Sequence, residues 1–374
     1  MVKIFQRFDQ RMWGIDSDET RIVSMNGIKF ELENVTRPAP KFNKTRRTCT
    51  GDARRVIPLE REPSILEQTS SPYFFKAYWV ECSRTKEPVI VEEAHRRAEL
   101  YLGELKSFVL DHIPRIEYWE ERKQTSTDII RDLVGKSSRS RAQIVLVAQK
   151  LTKLAPLDGK QFYPAFWDIV RCALFIVLPW TFGKSLTGNE TGHYLLWRIG
   201  VVHGDISLDN LLYDTNKEKG ILNDFDMSRL MQAGQDIPDW EGEERTGTRE
   251  FMALDLLNEH KKNLLRGYRH DLESFAWCLA HTCFSENTRD WKRGRHFNTS
   301  GGKCDFMMHV QRFHGRREEK IVNVTRSWLH YIMEDIKHRK AKEPSVQESL
   351  QLVIDCLHEK PFQDTTWIDF HVPL

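Results

Sequence analysis

Apolar and polar positions change period along this chain, and the changes divide it. Residues 1–42 hold two short apolar alternations, RIVSM (21–25) and IKFEL (28–32), around Asn26-Gly27. That dipeptide favours a tight turn, so the pattern predicts paired strands. Residues 41–55, KFNKTRRTCTGDARR, are basic and polar and read as a solvated loop. Residues 72–81, PYFFKAYWVE, are aromatic and bounded by Pro and charge, which predicts a strand. Val89, Val91, Ala94, Ala98, Leu102 and Leu105 then approximate a helical period. Pro88 stands where a first helical turn tolerates it.

Further along, residues 132–141 read as a flexible loop and AQIVLVAQKL (142–151) as a buried strand. A helical pattern starts at Phe166, but residues 179–192, PWTFGKSLTGNETG, interrupt it with Pro179 and three glycines. Deleting Ala173 to Gly192 would join FWDIVRC to HYLLWRIGVV as one continuous helix, so residues 173–192 read as a lineage insertion or a retained intron. After residue 260 the pattern is mostly helical (DLESFAWCLAHTCF, VTRSWLHYIMEDIKHRKA, SVQESLQLVIDCLHE), with a polar separator at 285–305. The order is strands and one helix first, then a mainly helical second half.

Composition narrows the classes. The chain has 374 residues, 40% hydrophobic and 29% charged, enough for a sizeable core under a solvated surface. A net charge of +2 supplies no global field for nucleic acid, and no nucleic-acid partner is expected. Seven cysteines without CxxC spacing argue against a disulfide framework and a zinc site. The most apolar run, CALFIVLPW (172–180), is far shorter than the ~20 residues that span a bilayer, and the N-terminal residues show no apolar signal core. The expectation is a protein of the cytoplasm or nucleus without a membrane partner.

The chemistry concentrates in VVHGDISLDNLLYD (201–214) and ILNDFDMS (221–228). Asp205 and Asn210 are five residues apart between apolar pairs, and Asp224 follows a second apolar run. Phosphoryl transfer needs such a set: one carboxylate to orient a hydroxyl and accept its proton, and an amide oxygen with a second carboxylate to hold Mg²⁺. His203-Gly204-Asp205-Ile206-Ser207-Leu208-Asp209-Asn210 and Asp224-Phe225-Asp226 match the kinase signatures H-R-D-L-x-x-x-N and D-F-G in order. GTREFMALD (247–255) resembles the end of a protein-kinase activation segment, with ALD where A-P-E is usual. Asp271 in YRHDLESFAW resembles the buried Asp that opens a central helix and bonds the catalytic-loop backbone. Together HGDIS..N, DFD, RTGT..FMA and RHDLESF resemble the fungal-type protein kinase family, with weaker likeness upstream in WGIDSDETRIV and YFFKAYW, over roughly residues 10–290.

That resemblance implies an α+β, two-lobed protein kinase-like fold: a small β-rich N-terminal lobe (1–142) and a larger helical C-terminal lobe (143–374), with ATP between them. It implies Asp205 as catalytic base, Asn210 and Asp224 as Mg²⁺ ligands, and Lys76 as the strand lysine on the α- and β-phosphates. Glu87 is the favoured partner of Lys76, with Glu92 as the alternative, and Thr248 is the threonine beside the substrate hydroxyl, able to bond Asp205. His203 reads as a core support for the loop rather than a reactant, and Asp209 as a solvated carboxylate.

Some positions depart from the pattern. Gly204 replaces an Arg that often meets an activation-loop phosphate. Ser207 stands where serine/threonine kinases carry a lysine that offsets charge on the transferring group. Asp226 replaces the flexible Gly of D-F-G. No G-x-G-x-x-G precedes Lys76, and Gly51 is the nearest candidate for a phosphate-covering glycine. FGKS (182–185) is not a P-loop, because Leu178 occupies the position of its first Gly. The expected activity is ATP-dependent phosphorylation of Ser or Thr in a protein substrate. Two alternatives are a pseudokinase scaffold and a small-molecule kinase of the aminoglycoside or choline kinase type.

Overall fold

The apolar alternation of the first third folds into one antiparallel sheet. In the computed structural model, residues 22–25, 27–36, 48–58, 66–68, 73–122, 126–133, 140–171, 192–238, 247–258, 264–292, 296–338, 344–349 and 353 are described. β1 (Ile22–Met25) and β2 (Ile28–Thr36) form the expected hairpin. Gly27 takes a φ of +80°, which suits a residue without Cβ. β3 (Cys49–Pro58), β4 (Leu66–Gln68), β5 (Tyr73–Glu81), β6 (Ile116–Arg122) and β7 (Arg141–Gln149) complete the sheet in the order β1-β2-β3-β5-β7-β6, with β4 paired to β3. Phe30, Ala53, Phe75, Ala77, Val145 and Val147 pack on one face, and Tyr78, Val80, Ile144, Leu146 and Ala148 on the other. The period of two puts Lys76 on the face of Tyr78 and Val80.

Part of the segment read as a solvated basic loop is strand. Residues 49–55 belong to β3, which pairs with β2 and β5. Its charged side chains hide the alternation, but Ala53 is fully buried among the core residues. Gly51 therefore lies inside a strand, not in a loop over phosphate. A Cβ there would stand 2.9 Å from the Glu33 carbonyl oxygen, where the β2–β3 register shifts, so the glycine serves strand approach.

Helices α1 (Glu87–Tyr101) and α2 (Ser107–Leu110) lie between β5 and β6, and α3 (Asp128–Leu133) between β6 and β7. Two units emerge: residues 1–91 with 114–151, and residues 92–113 with 152–374. The expected boundary at 142/143 cuts β7. That strand pairs along its whole length with β5, from Tyr73↔Gln149 to Glu81↔Arg141, so the sheet unit runs on to Leu151.

The second unit holds α4 (Gly159–Arg171), α5 (Gly192–Arg198), α6 (Leu254–Leu257), α7 (Tyr268–Cys283), α8 (Ser285–Thr288), α9 (His296–His309) and α10 (Glu319–His338). α7 is buried along nearly its whole length. Phe166 of α4 meets Phe275 of α7 edge-on, and Trp167 stacks on Trp328 of α10 at 5.9 Å, so these aromatic residues form core. The polar separator expected at 285–305 is largely helical. Its buried hydroxyls bond backbone carbonyls, Thr288 to Phe284 and Thr299 to Trp291. Among the described residues, no helix is long and apolar enough to cross a membrane.

Short strands carry the loops of the second unit: β8 (Thr152–Lys153), β9 (Val201–Val202), β10 (Leu211–Asp214), β11 (Lys219–Leu222) and β12 (Arg229–Leu230). β11, β10 and β8 form one antiparallel sheet and β12 pairs with β9. β11 presses on α4 at Gly220, where a Cβ would run into the Ala165 carbonyl. Of the expected loop 132–141, residues 134–139 lie outside the described residues, as do residues 172–191, with FGKS and nearly all of the suspected insertion.

Candidate active site

The loop between β9 and β10 is held from every side by hydrogen bonds. His203 is fully buried. Its Nε2 lies 3.0 Å from the Asn223 carbonyl and its Nδ1 accepts the Asp205 N–H at 3.3 Å. That pairing fits a neutral ring protonated at Nε2, a structural role. The ring also meets Phe225 edge-on at 4.8 Å. Gly204 takes a φ of +79°, so glycine, not the usual arginine, suits the turn. Its N–H points at Oδ2 of the fully buried Asp271, 3.4 Å away. Asp271 is clamped in turn by Arg266 through two bonds of 2.8 and 3.0 Å.

Asp205 is gripped from residues 247–248. The Thr248 N–H donates to its Oδ1 at 2.6 Å, and the Thr248 hydroxyl adds a second bond. Gly247 permits the approach with a φ of +138°. Burial raises the Asp205 pKa above the ordinary carboxylate value, Thr248 opposes it, and the Asp224 charge adds to the rise. Two carboxylates that repel in a partly desolvated place are a natural seat for a cation. Asn210 donates its amide N–H to the Asp205 carbonyl at 2.8 Å, which turns the amide oxygen the other way. Ser207 is buried, and its carbonyl accepts the Asn210 N–H at 2.9 Å, closing the turn.

Asp224 has a left-handed backbone, φ 65° and ψ 73°, uncommon for a residue with a Cβ. Such strain is retained where the surroundings over-determine it, often at functional sites. Phe225 is fully buried, and residues 225–227 form one 3₁₀ turn. Ser228 bonds back to the His203 carbonyl at 2.9 Å. Asp226, which replaces the glycine of D-F-G, sits in this turn without a positive φ, so the left-handed backbone here belongs to Asp224.

In the sheet unit, Lys76 donates to Oε2 of Glu87 at 2.7 Å. Both are buried, Lys76 8% exposed and Glu87 4%, so neither is an ordinary surface charge. Glu92, the other candidate, is exposed on α1. Lys76 also lies 4.6 Å from the centre of the Tyr78 ring. Asp209 is exposed and bonds Lys153 at 2.6 Å, a solvated pair.

Other supporting residues were not singled out from the sequence. Arg97 of α1 donates one guanidinium nitrogen to the carbonyls of Ile199 and Met231, each at 2.8 Å, and Gly200 at 3.2 Å. It thereby ties the approach to the loop after β9 to the segment after Asp224. Glu93 orients it at 2.6 Å. Arg269 of α7 bonds Asp255 of α6 at 2.8 Å. An arginine four residues after Glu93 and a basic residue beside Asp271 are visible in the sequence, but only their distant partners reveal their use.

Asn210 and Asp224 supply hard oxygen donors of the kind Mg²⁺ takes. Among the described residues, no group of three or more His, Cys, Asp or Glu could hold a metal by protein ligands alone. Mg²⁺ bound through one or two protein oxygens, with phosphates completing the shell, fits such a donor set. Residues 184–283 match the family model described as fungal protein kinase, a span that contains Asp205, Asn210, Asp224, Thr248 and Asp271. No curated protein matches the chain significantly.

Proposed function

With a fungal protein kinase family match over the loop, the strained Asp224 and the activation segment, we propose that the chain transfers the γ-phosphoryl group of ATP to Ser or Thr hydroxyls of a protein substrate. The observation that carries this reading is the bond from Thr248 to Asp205. It fixes a carboxylate of raised pKa beside the segment that would receive a peptide. Asp205 would orient the substrate hydroxyl and accept its proton as the oxygen attacks. Thr248 would hold the carboxylate in its rotamer. Asn210 and Asp224 would hold Mg²⁺, which when bound neutralises charge on the phosphates. Lys76, held in place by Glu87, would meet the α- and β-phosphates.

The likeness of 247–255 to the peptide-positioning segment of protein kinases favours a peptide over a small-molecule acceptor. Ser207 favours the scaffold reading, because its side chain is buried and no lysine replaces the missing charge at that position. Radiolabelled transfer from ATP to the chain and to a generic protein tests the proposal. Asp205→Asn is expected to lower transfer by about 10²- to 10⁴-fold while leaving far-UV circular dichroism unchanged. Equal transfer by the variant would sink the assignment. Absence of transfer by the natural chain with Mg²⁺ or Mn²⁺ would favour the scaffold, and transfer only to small alcohols the small-molecule kinase.

A further inference from the structure

Lys303 of α9 is 0% exposed, which is unusual for a lysine. Its ammonium donates to the Met252 carbonyl at 2.6 Å and lies 4.5 Å from the Trp277 ring and 5.6 Å from the Trp291 ring. The two indoles meet edge-on at 5.4 Å and form the walls around the cation. Glu273 of α7 completes the arrangement. One of its oxygens accepts the Leu254 N–H at 2.8 Å and the Trp277 Nε1–H at 3.0 Å. Burial lowers the Lys303 pKa to about 7 against the attraction of Glu273, and burial raises that of Glu273.

A buried charge in a helix core is poor packing material; an apolar side chain of similar length would fill the space without desolvation cost. What Lys303 reaches explains its use. Met252 and Leu254 stand at one end of the segment whose other end, Thr248, holds Asp205. The N–H groups of Phe251 and Met252 bond the Thr248 carbonyl at 2.9 and 3.0 Å, making residues 248–252 one closed turn. The Thr248 N–H at the start of that turn bonds Asp205. A continuous path therefore runs from Lys303 and Glu273 through the Met252 carbonyl and Leu254 N–H to the carboxylate.

We infer that Lys303, braced by Trp277 and Trp291, is a positioning residue that anchors the turn 248–252 and through it sets the orientation of Asp205. The inference deepens the kinase reading and rests on it for its catalytic consequence. Its structural consequence is independent of that reading, and both are measurable. Hydrogen exchange on the full chain compares the natural protein with Lys303→Met and Lys303→Arg, after circular dichroism shows each folded. In Lys303→Met, amides of 248–254 are expected to exchange about tenfold faster, while those of α10 stay unchanged. Lys303→Arg keeps a donor and a cation over the rings and is expected to restore most of the protection.

In transfer assays Lys303→Met should lower kcat about tenfold with KM for Mg²⁺-ATP unchanged, since no nucleotide contact is removed. If Lys303→Met does not fold, Trp291→Phe keeps the lysine and weakens one ring contact, with about threefold faster exchange expected at the same amides. Natural protection of 248–254 in a folded Lys303→Met, or in Trp291→Phe where it substitutes, overturns the inference. So does loosening spread equally over α10. Should the natural chain transfer no phosphate, the kinase reading fails separately, and the exchange pattern still decides the anchoring role.

Discussion

At the residue scale the site depends on charges held away from water. The Lys76–Glu87 pair is nearly desolvated, so removing one partner strands the other. Glu87→Ala is expected to cost about 3 kcal/mol in chemical denaturation and to weaken ATP use; a loss below about 0.5 kcal/mol would show the pair to be solvated. Glu93 behaves differently. The Arg96 guanidinium, with Arg97, holds it at about 2 against the pull of burial. Its folded pKa is depressed, so its stabilisation is present above the unfolded value near 4.5 and is lost as pH falls through about 2. Glu93→Gln should therefore lower stability by about 1–2 kcal/mol near pH 6, with the difference shrinking toward zero near pH 2. A pH-independent difference would point to packing instead.

At the element scale, close backbone approach decides where strands and helices meet. β11 lies against α4 only because Gly220 lacks a Cβ. Gly220→Ala is expected to destabilise by about 2–4 kcal/mol, read as an earlier thermal transition, and to perturb β10 and the adjoining loop that carries Asp205. An unchanged transition would mean that α4 shifts without cost. The same logic explains the polar helices α8 and α9, which contain Ser, Asn, Thr and two adjacent glycines. The Thr288 and Thr299 hydroxyls bond the carbonyls of Phe284 and Trp291, four and eight residues earlier. A segment judged by its own propensity looks like a separator; the fold makes most of it helical and buries Thr288, Trp291, Thr299 and Lys303 while leaving much of its surface exposed.

At the scale of the whole molecule, ligand linkage tests the assignment. Mg²⁺-ATP at about 100 times its Kd should stabilise the chain by about 2.7 kcal/mol. Asp224→Asn keeps a residue type that tolerates the left-handed backbone but removes the carboxylate. It is expected to fold normally while losing the Mg²⁺-dependent part of the thermal shift. A full shift in that variant would remove Asp224 from the metal site. The division of the chain is likewise a property of the whole: β7 belongs to the sheet unit because β5 and β6 pair with it, whatever its apolar run suggests.

The sequence by itself determined the identity and order of the chemical groups. Asp205, Asn210, Asp224 and Thr248 stand at spacings that a loop and two short strands must honour, and local connectivity preserves such spacing. It also determined the β1–β2 hairpin, β5, β7 and most of α1, where side-chain period is strong. Tertiary structure decided the rest. It selected Glu87 over Glu92 for Lys76, put Gly51 in a strand, and moved the unit boundary to Leu151. It also gave Arg97, Glu273 and Lys303 partners at sequence separations of 19 to 134 residues. Burial and long-range pairing set those outcomes, and neither is written in the neighbourhood of the residues they govern.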